Sequence, residues 1–234
     1  EKLNAIFLIH QDTSSPRSGI GLIITKNNKH QEWKELIIPS HMKGRVLHIE
    51  FNKIHIINVY VPAKRKQRRS FLYHLSNYIH TYNRNPTVII GDFNSVSTDL
   101  DKKGGLRVWD HSMKHHIIGF VQNNNLTDTF RHLHPLDETY THVREHTASR
   151  IDYAYITQPL LNKLVHSGIK TEQLGDHHAI DLIIKQDLHT KWGKPHWKLN
   201  NSLLLLENYI NEIEQLLNTV DDIMPYLYWD RIKR

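Results

Sequence analysis

Short runs of β-branched and aliphatic residues, interrupted by polar and turn-forming positions, dominate the first part of the chain. Ala5 to Ile9 and Gly19 to Ile24 are the first two. The polar stretch from Gln11 to Ser18 joins them, and the pair reads as a hairpin. Glu35 to Ile38, Arg45 to Phe51 and Ile54 to Val61 continue the style, with Asn52-Lys53 as a tight turn between the last two. The first sixty residues therefore predict an antiparallel β-meander. Beyond Pro62 the period changes. Phe71, Leu72, Leu75, Tyr78 and Ile79 recur at helical spacing, which predicts a helix over 64–82. Thr87 to Ile90, behind Pro86, reads as a buried strand. Helices are expected over 109–123 and 158–165, the second ended near Gly168. Strands are expected over 139–143, 150–156 and 179–184, with 144–149 as a loop. From Gln186 onward Lys, Trp, His, Gly and Pro mark a linker, followed by a leucine-rich helix over 203–217.

The strand ends carry the chemistry. Gly91-Asp92-Phe93-Asn94 follows the buried run, and a period of two places Asp92 and Asn94 on one side with Phe93 opposite. Gly91 permits a close backbone approach where the polar pair begins. A carboxylate beside a carboxamide suits the holding of a water and a phosphoryl oxygen; an ordinary strand-end turn is the competing reading. Asn58 with Tyr60, Asp152, and Asp176 with His177 occupy other strand ends. Together they make a candidate metal-assisted hydrolytic site, in which Asp176 is a hard oxygen ligand and Asp152 orients His177. Asp99 and Asp101 read as solvated loop charges, and His178 as a packing residue.

Composition narrows the field. The 234 residues suffice for one well-buried α/β domain with an appendage, and the absence of cysteine excludes disulfides, thiolate zinc sites and a cysteine nucleophile. No run approaches the roughly eighteen apolar residues of a membrane span. The net charge of +6, with 19 histidines uncounted, is compatible with a polyanionic partner. The predicted first helix opens on Lys64-Arg65-Lys66-Gln67-Arg68-Arg69. Cations there oppose the helix dipole, and a nearby polyanion would offset the cost. Lys64, Arg65 and Arg68 are therefore candidate nucleic-acid contacts, against the plainer reading of a solvated basic face.

Four motifs in order, Asn58-Val59-Tyr60-Val61-Pro62, Gly91-Asp92-Phe93-Asn94, Ser149-Arg150-Ile151-Asp152-Tyr153 and Gly175-Asp176-His177, resemble the endonuclease/exonuclease/phosphatase superfamily over about residues 5–185. Within it, Leu126 to Pro135 with Thr139-Tyr140-Thr141, and Trp197 to Leu204, are similar to segments of the apurinic-type endonuclease domain of LINE-type non-LTR retrotransposon polyproteins. The resemblance implies an α/β fold, a four-layer sandwich of two packed, mostly antiparallel sheets flanked by helices, with its first strands missing here and a C-terminal helical extension. Residues 1–186 would be the endonuclease-type domain, and 187–234 a segment leading toward a reverse transcriptase. It implies cleavage of a DNA phosphodiester with Mg²⁺ or Mn²⁺, in the nucleus. Carried over residue by residue, Asp92 would activate a water that Asn94 positions. His177, held by Asp152, would contact the phosphate, with Tyr60 against it and Asp176 in the metal site. The 144–149 loop matches one that enters a DNA groove, which makes Arg144 and His146 candidate contacts.

Two departures stand out. Gly175 replaces the Ser of a Ser-Asp-His motif. The Asn and Gln-Glu that the family carries upstream, the Glu being its main metal ligand, have no counterpart at the expected distance. Gln11-Asp12 imitates the pair but lies too close to the next strand, and Glu1 is a weaker substitute. An amino-truncated copy is the expectation. An abasic-site repair nuclease, a phosphatase of the same superfamily, and an inactive or merely nucleic-acid-binding remnant are the alternatives.

Overall fold

The computed structural model describes residues 5–11, 19–25, 32–82, 85–104, 111–173, 175–186 and 206–218. The chain divides into two compact units, Glu1–Gln186 and Asp187–Arg234. In the first unit, strands β1 (Ala5–His10) and β2 (Ile20–Thr25) are followed by β3 (Trp33–Glu35), β4 (Val46–Phe51) and β5 (Ile54–Tyr60). Helix α1 (Arg65–His80), strand β6 (Thr87–Asp92), the two-residue β7 (Lys102–Lys103) and helix α2 (His111–Asn123) come next. Then follow β8 (Leu126–Asp128), α3 (Thr129–Leu133), β9 (His142–Arg144), β10 (Thr147–Ser149), β11 (Asp152–Thr157), α4 (Gln158–Leu161), β12 (Leu164–Gln173) and β13 (His178–Ile184). Of the second unit, α5 (Glu207–Asn218) is described. The expected linker, the Trp197 to Leu204 segment and residues Glu1 and Asp12 lie outside the described residues.

A six-stranded sheet in the order β3-β4-β5-β6-β11-β8 is the centre of the fold. Its pairs are antiparallel except β5–β6, which run parallel across the α1 crossover. Burial along β5 alternates with a period of two: His55, Ile57 and Val59 are buried while Ile54, Ile56, Asn58 and Tyr60 are half-buried. Ile57 and Val59 meet Phe71, Leu72, Leu75 and Ile79 of α1, with Ile117 and Phe120 of α2, in the main core. The opposite face is covered by two separate ladders. Ile20 and Ile24 of β2 pack on Leu47 and Ile49 of β4, and Leu164, Leu182 and Ile184 of β12 and β13 pack on Val88 and Ile156. This is the expected α/β sandwich.

The differences from the sequence expectation are local. Among the described residues β1 and β2 pair only with each other, so the first sixty residues are not one meander; the apolar faces stack instead of sharing an edge. The third strand is Trp33–Glu35 rather than 35–38, because Ile38 turns into the core while Ile37 faces solvent. Helix α4 stops after four residues, and 164–173 is a strand whose register slips twice against β13. The 144–149 segment is no open loop: β9 and β10 form a hairpin with Glu145-His146 at its tip.

Candidate active site

The parallel β5–β6 pair sets the site. Register places Tyr60 beside Asp92, and across β6 the antiparallel β11 places Asp152 beside Asp92. Three strand ends thus deliver three predicted residues to one rim. Gly91 makes the approach of β5 and β6 close: at φ 143° a Cβ here would overlap the Val59 carbonyl oxygen. Phe93 turns the other way and is fully buried against Phe120, Tyr153 and Tyr155.

Asp92 and Asn94 form a turn at the candidate site. Asn94 sits at φ 50°, a left-handed conformation that Asn tolerates. Its backbone N–H donates to Asp92 Oδ1 at 2.6 Å, and its Nδ2 donates to Asp92 Oδ2 at 2.8 Å and to the Val61 carbonyl at 2.9 Å. The carboxamide hydrogens are thereby spent, which leaves Asn94 Oδ1 as the group to hold a water. Burial, and then the facing Asp152, push the Asp92 carboxyl up to about 6, against the opposing effect of the Asn94 N–H.

Asp152 holds His177: Nδ1 lies 2.8 Å from Asp152 Oδ2. Asp152 is fixed in turn, since Thr141 Oγ1 accepts from the backbone N–H groups of Ile151 and Asp152 at 3.0 and 3.1 Å. His177 is reached from β9 through a backbone bridge to His142. Asp176, whose side chain is 67% exposed, lies 3.4 Å from His142 Nε2. Its own backbone N–H, and then His177 and His142, hold its carboxyl below the usual carboxylate range. Gly175 sits at φ 152°, where a Ser would be strained, so the departure from Ser-Asp-His agrees with the local backbone. Tyr60 is half-buried with the Arg45 guanidinium 5.1 Å from its ring centre. Asn58 instead ties the layers together, donating to the Gly21 carbonyl at 3.0 Å.

Two donor groups here suit a divalent cation. The Asp92–Asp152 pair shows the mutual repulsion that a hard cation would relieve. His142, Asp176 and His177 place one ligand atom each within 4.8 Å of one another, and this donor set is rich in imidazole.

The basic candidates separate. Lys64, Arg65 and Arg69 are exposed, whereas Arg68 is turned inward, its Nε donating to the Pro62 carbonyl at 3.1 Å and its second nitrogen to Ala63 at 2.5 Å. Arg68 braces the turn between β5 and α1, and its charge reaches Asp92 at the rim instead of standing on the open surface with Lys64 and Arg65. Arg144 and His146 stand at the hairpin tip, the His146 side chain 86% exposed. Asp101 is also corrected. It is fully buried, paired with Arg150 Nε at 2.8 Å and with Arg131 at 2.6 Å, while Arg150 forks onto Asp128 at 2.7 and 3.1 Å. Sequence reasoning missed Thr141, His142, Arg45 and this ion cluster.

The fold resembles that of an AP endonuclease from Archaeoglobus fulgidus, with a TM-score of 0.65 at 16% identity over 79% of this chain and 81% of that one. The sandwich is thus that of the endonuclease/exonuclease/phosphatase class. Residues 54–181 match the family model described as endonuclease-reverse transcriptase, and the chain belongs to that family. It is 27% identical over 188 residues to the transposon TX1 uncharacterized 149 kDa protein of Xenopus laevis, covering 76% of this chain but 14% of that protein. It is 23% identical over 163 residues to an exodeoxyribonuclease of Bacillus subtilis, covering 61% of this chain and 64% of that enzyme. The chain therefore spans less than two thirds of either relative.

Proposed function

We propose that residues 1–186 hydrolyse a DNA phosphodiester, nicking a target strand as the endonuclease part of a retrotransposon polyprotein whose reverse transcriptase follows. The observation that carries this is the convergence of Asp92–Asn94 and Asp152–His177 on one rim, in a member of this family. Asn94 Oδ1 orients the attacking water. Asp92 accepts its proton. His177, with Nδ1 on Asp152, presents Nε2 to a non-bridging phosphate oxygen, facing the charge that develops there. Tyr60 lines the same face. Asp92 and Asp152 would hold Mg²⁺ or Mn²⁺, which would supply charge neutralisation at the phosphate. Lys64, Arg65 and the Arg144–His146 hairpin tip hold the DNA backbone, and the work of such a domain is nuclear.

Nicking of supercoiled plasmid by the full chain in Mg²⁺ or Mn²⁺, with His177→Ala alongside, is the test. The variant is expected to lose nicking; a variant that nicks as fast as the native chain refutes the assignment. An abasic-site nuclease is the second reading, favoured by the fold's likeness to an AP endonuclease. Cleavage confined to an abasic duplex in the same assay would select it.

A further inference from the structure

We propose that His142, Asp176 and His177 form a binding site for a borderline transition-metal ion such as Zn²⁺, and that its occupation withdraws His177 from the phosphate. The second half rests on the nuclease reading; the first does not.

The donor geometry is what such an ion needs. Zn²⁺ holds imidazole nitrogens and carboxylate oxygens at about 2.0–2.2 Å in a tetrahedron, so neighbouring ligand atoms are roughly 3.3 Å apart. His142 Nε2 and Asp176 Oδ2 are 3.4 Å apart, longer than a good N–H···O hydrogen bond and close to that tetrahedral edge. The three ligand atoms already lie within 4.8 Å of one another. Closing the remaining gap falls to Asp176, whose exposed side chain packs on little.

The backbone of His142 and the ring of His177 are held in advance. A backbone bridge joins His142 to His177, and the His178 N–H donates to the Thr141 carbonyl at 2.6 Å beside it. The two rings stand 4.9 Å apart between centroids. Asp152 on His177 Nδ1 supplies the carboxylate that a metal-bound histidine ordinarily carries on its other nitrogen, fixing the ring with Nε2 outward. Three protein ligands leave the fourth position for solvent. Two nitrogens and one oxygen are a poor match for Mg²⁺, which demands an octahedron of oxygens. Hard and borderline ions thus compete for this rim through different atoms, and His177 is the residue both uses need.

The chain has 19 histidines, so binding alone proves little and the reading is the loss on changing His142. The full chain is titrated with Zn²⁺ against a chromogenic chelator, in excess Mg²⁺, and with Co²⁺ followed by visible absorption. One site is expected to survive excess Mg²⁺, to weaken at least tenfold in His142→Ala, and to weaken about 10–100-fold in Asp152→Asn, which acts through His177. Should His142→Ala fail to fold by circular dichroism, Asp176→Asn replaces it, since that side chain is mostly exposed. Unchanged affinity in the folded variant, or displacement by Mg²⁺, overturns the site. Nicking separates the two readings. Zn²⁺ binding that depends on His142 in a chain that never nicks keeps the site and removes the nuclease. Nicking that Zn²⁺ inhibits equally in native and His142→Ala chains removes the site and keeps the nuclease.

Discussion

Asp92 is a carboxylate that the fold would rather hold neutral, and Asp92→Asn should reveal it. Its carboxyl rises from 3.8 to about 6 on folding, through burial first and Asp152 second. Each tenfold change in proton affinity is worth about 1.4 kcal/mol, so ionised Asp92 costs the metal-free fold up to roughly 3 kcal/mol at pH 8. A group raised on folding contributes stability that is fully present below its unfolded value and is lost as pH rises through its folded one. The loss here falls between pH 3.8 and about 6. Asparagine removes the charge, keeps an oxygen for the Asn94 N–H, and sets an amide against Asn94 Nδ2, a lost hydrogen bond of about 1–2 kcal/mol. The variant should therefore be more stable than the native chain at pH 8 by about 1–2 kcal/mol, with the advantage gone or reversed at pH 4.

Urea denaturation of both chains without divalent ions, at intervals from pH 4 to 8, measures this. The expected signature is a difference in unfolding free energy that moves by roughly 2 kcal/mol toward the variant across that range. Other titrating groups are common to both chains and cancel to first order. A difference constant within about 0.5 kcal/mol would refute the electrostatic reading of the rim.

Three further outcomes follow from the same structure. Burial, and then His55, push His48 down to about 3, so the folded chain keeps a neutral ring where the unfolded one protonates near 6.5. The stability this ring contributes is complete above pH 6.5 and drains as pH falls toward 3, by up to about 4–5 kcal/mol; a native chain and a His48→Phe variant with the same acid slope would contradict it. Arg150→Met strands Asp101 and Asp128 in the interior and should cost about 3–5 kcal/mol by urea denaturation, and a loss under about 1 kcal/mol would mean the cluster is not a closed ion network. Changing Lys64, Arg65 and Arg69 to Gln should weaken DNA binding and flatten its dependence on salt, whereas an unchanged slope would make that face plain solvated surface.

The parts of this molecule that obey a local rule were readable from the sequence. The α1 stripe buries Phe71, Leu72, Leu75 and Ile79 as its spacing requires, whereas spacing alone did not bring Asp92 and Asp152 together; the resemblance of the four motifs did. The parts decided by tertiary packing were not. Strand β12 hides because two register slips break its alternation. Asp101 resembles a solvated loop charge until Arg150 and Arg131, from distant segments, close over it. Arg68 did carry a signal: it precedes Phe71 and Leu72 by three and four positions, on the apolar stripe, and a cation there faces inward. His142 had none beyond its place in a strand, since its neighbours Asp176 and His177 come from a distant segment.

The ion cluster and the rim are mechanically one unit. Arg150 is held at 1% side-chain exposure between Asp101, Asp128 and the Tyr153 ring, and its backbone N–H donates to the Asp101 carbonyl at 2.8 Å. The next residue, Ile151, accepts from the Phe93 N–H at 2.8 Å and donates to Thr141, and the one after is Asp152. Strand β11 therefore enters the rim from a fixed pier, with β6 on one side and the Thr141 hydroxyl beside it. The pier counters what the rim costs, because Asp92 and Asp152 repel each other where no cation lies between them. The like charges of Asp92 and Asp152 at two adjacent strand ends are thus backed by a buried ion cluster that begins two residues before Asp152 and holds those ends in register. Loosening Arg150 should then disturb the Asp152–His177 pair before it unfolds the sheet.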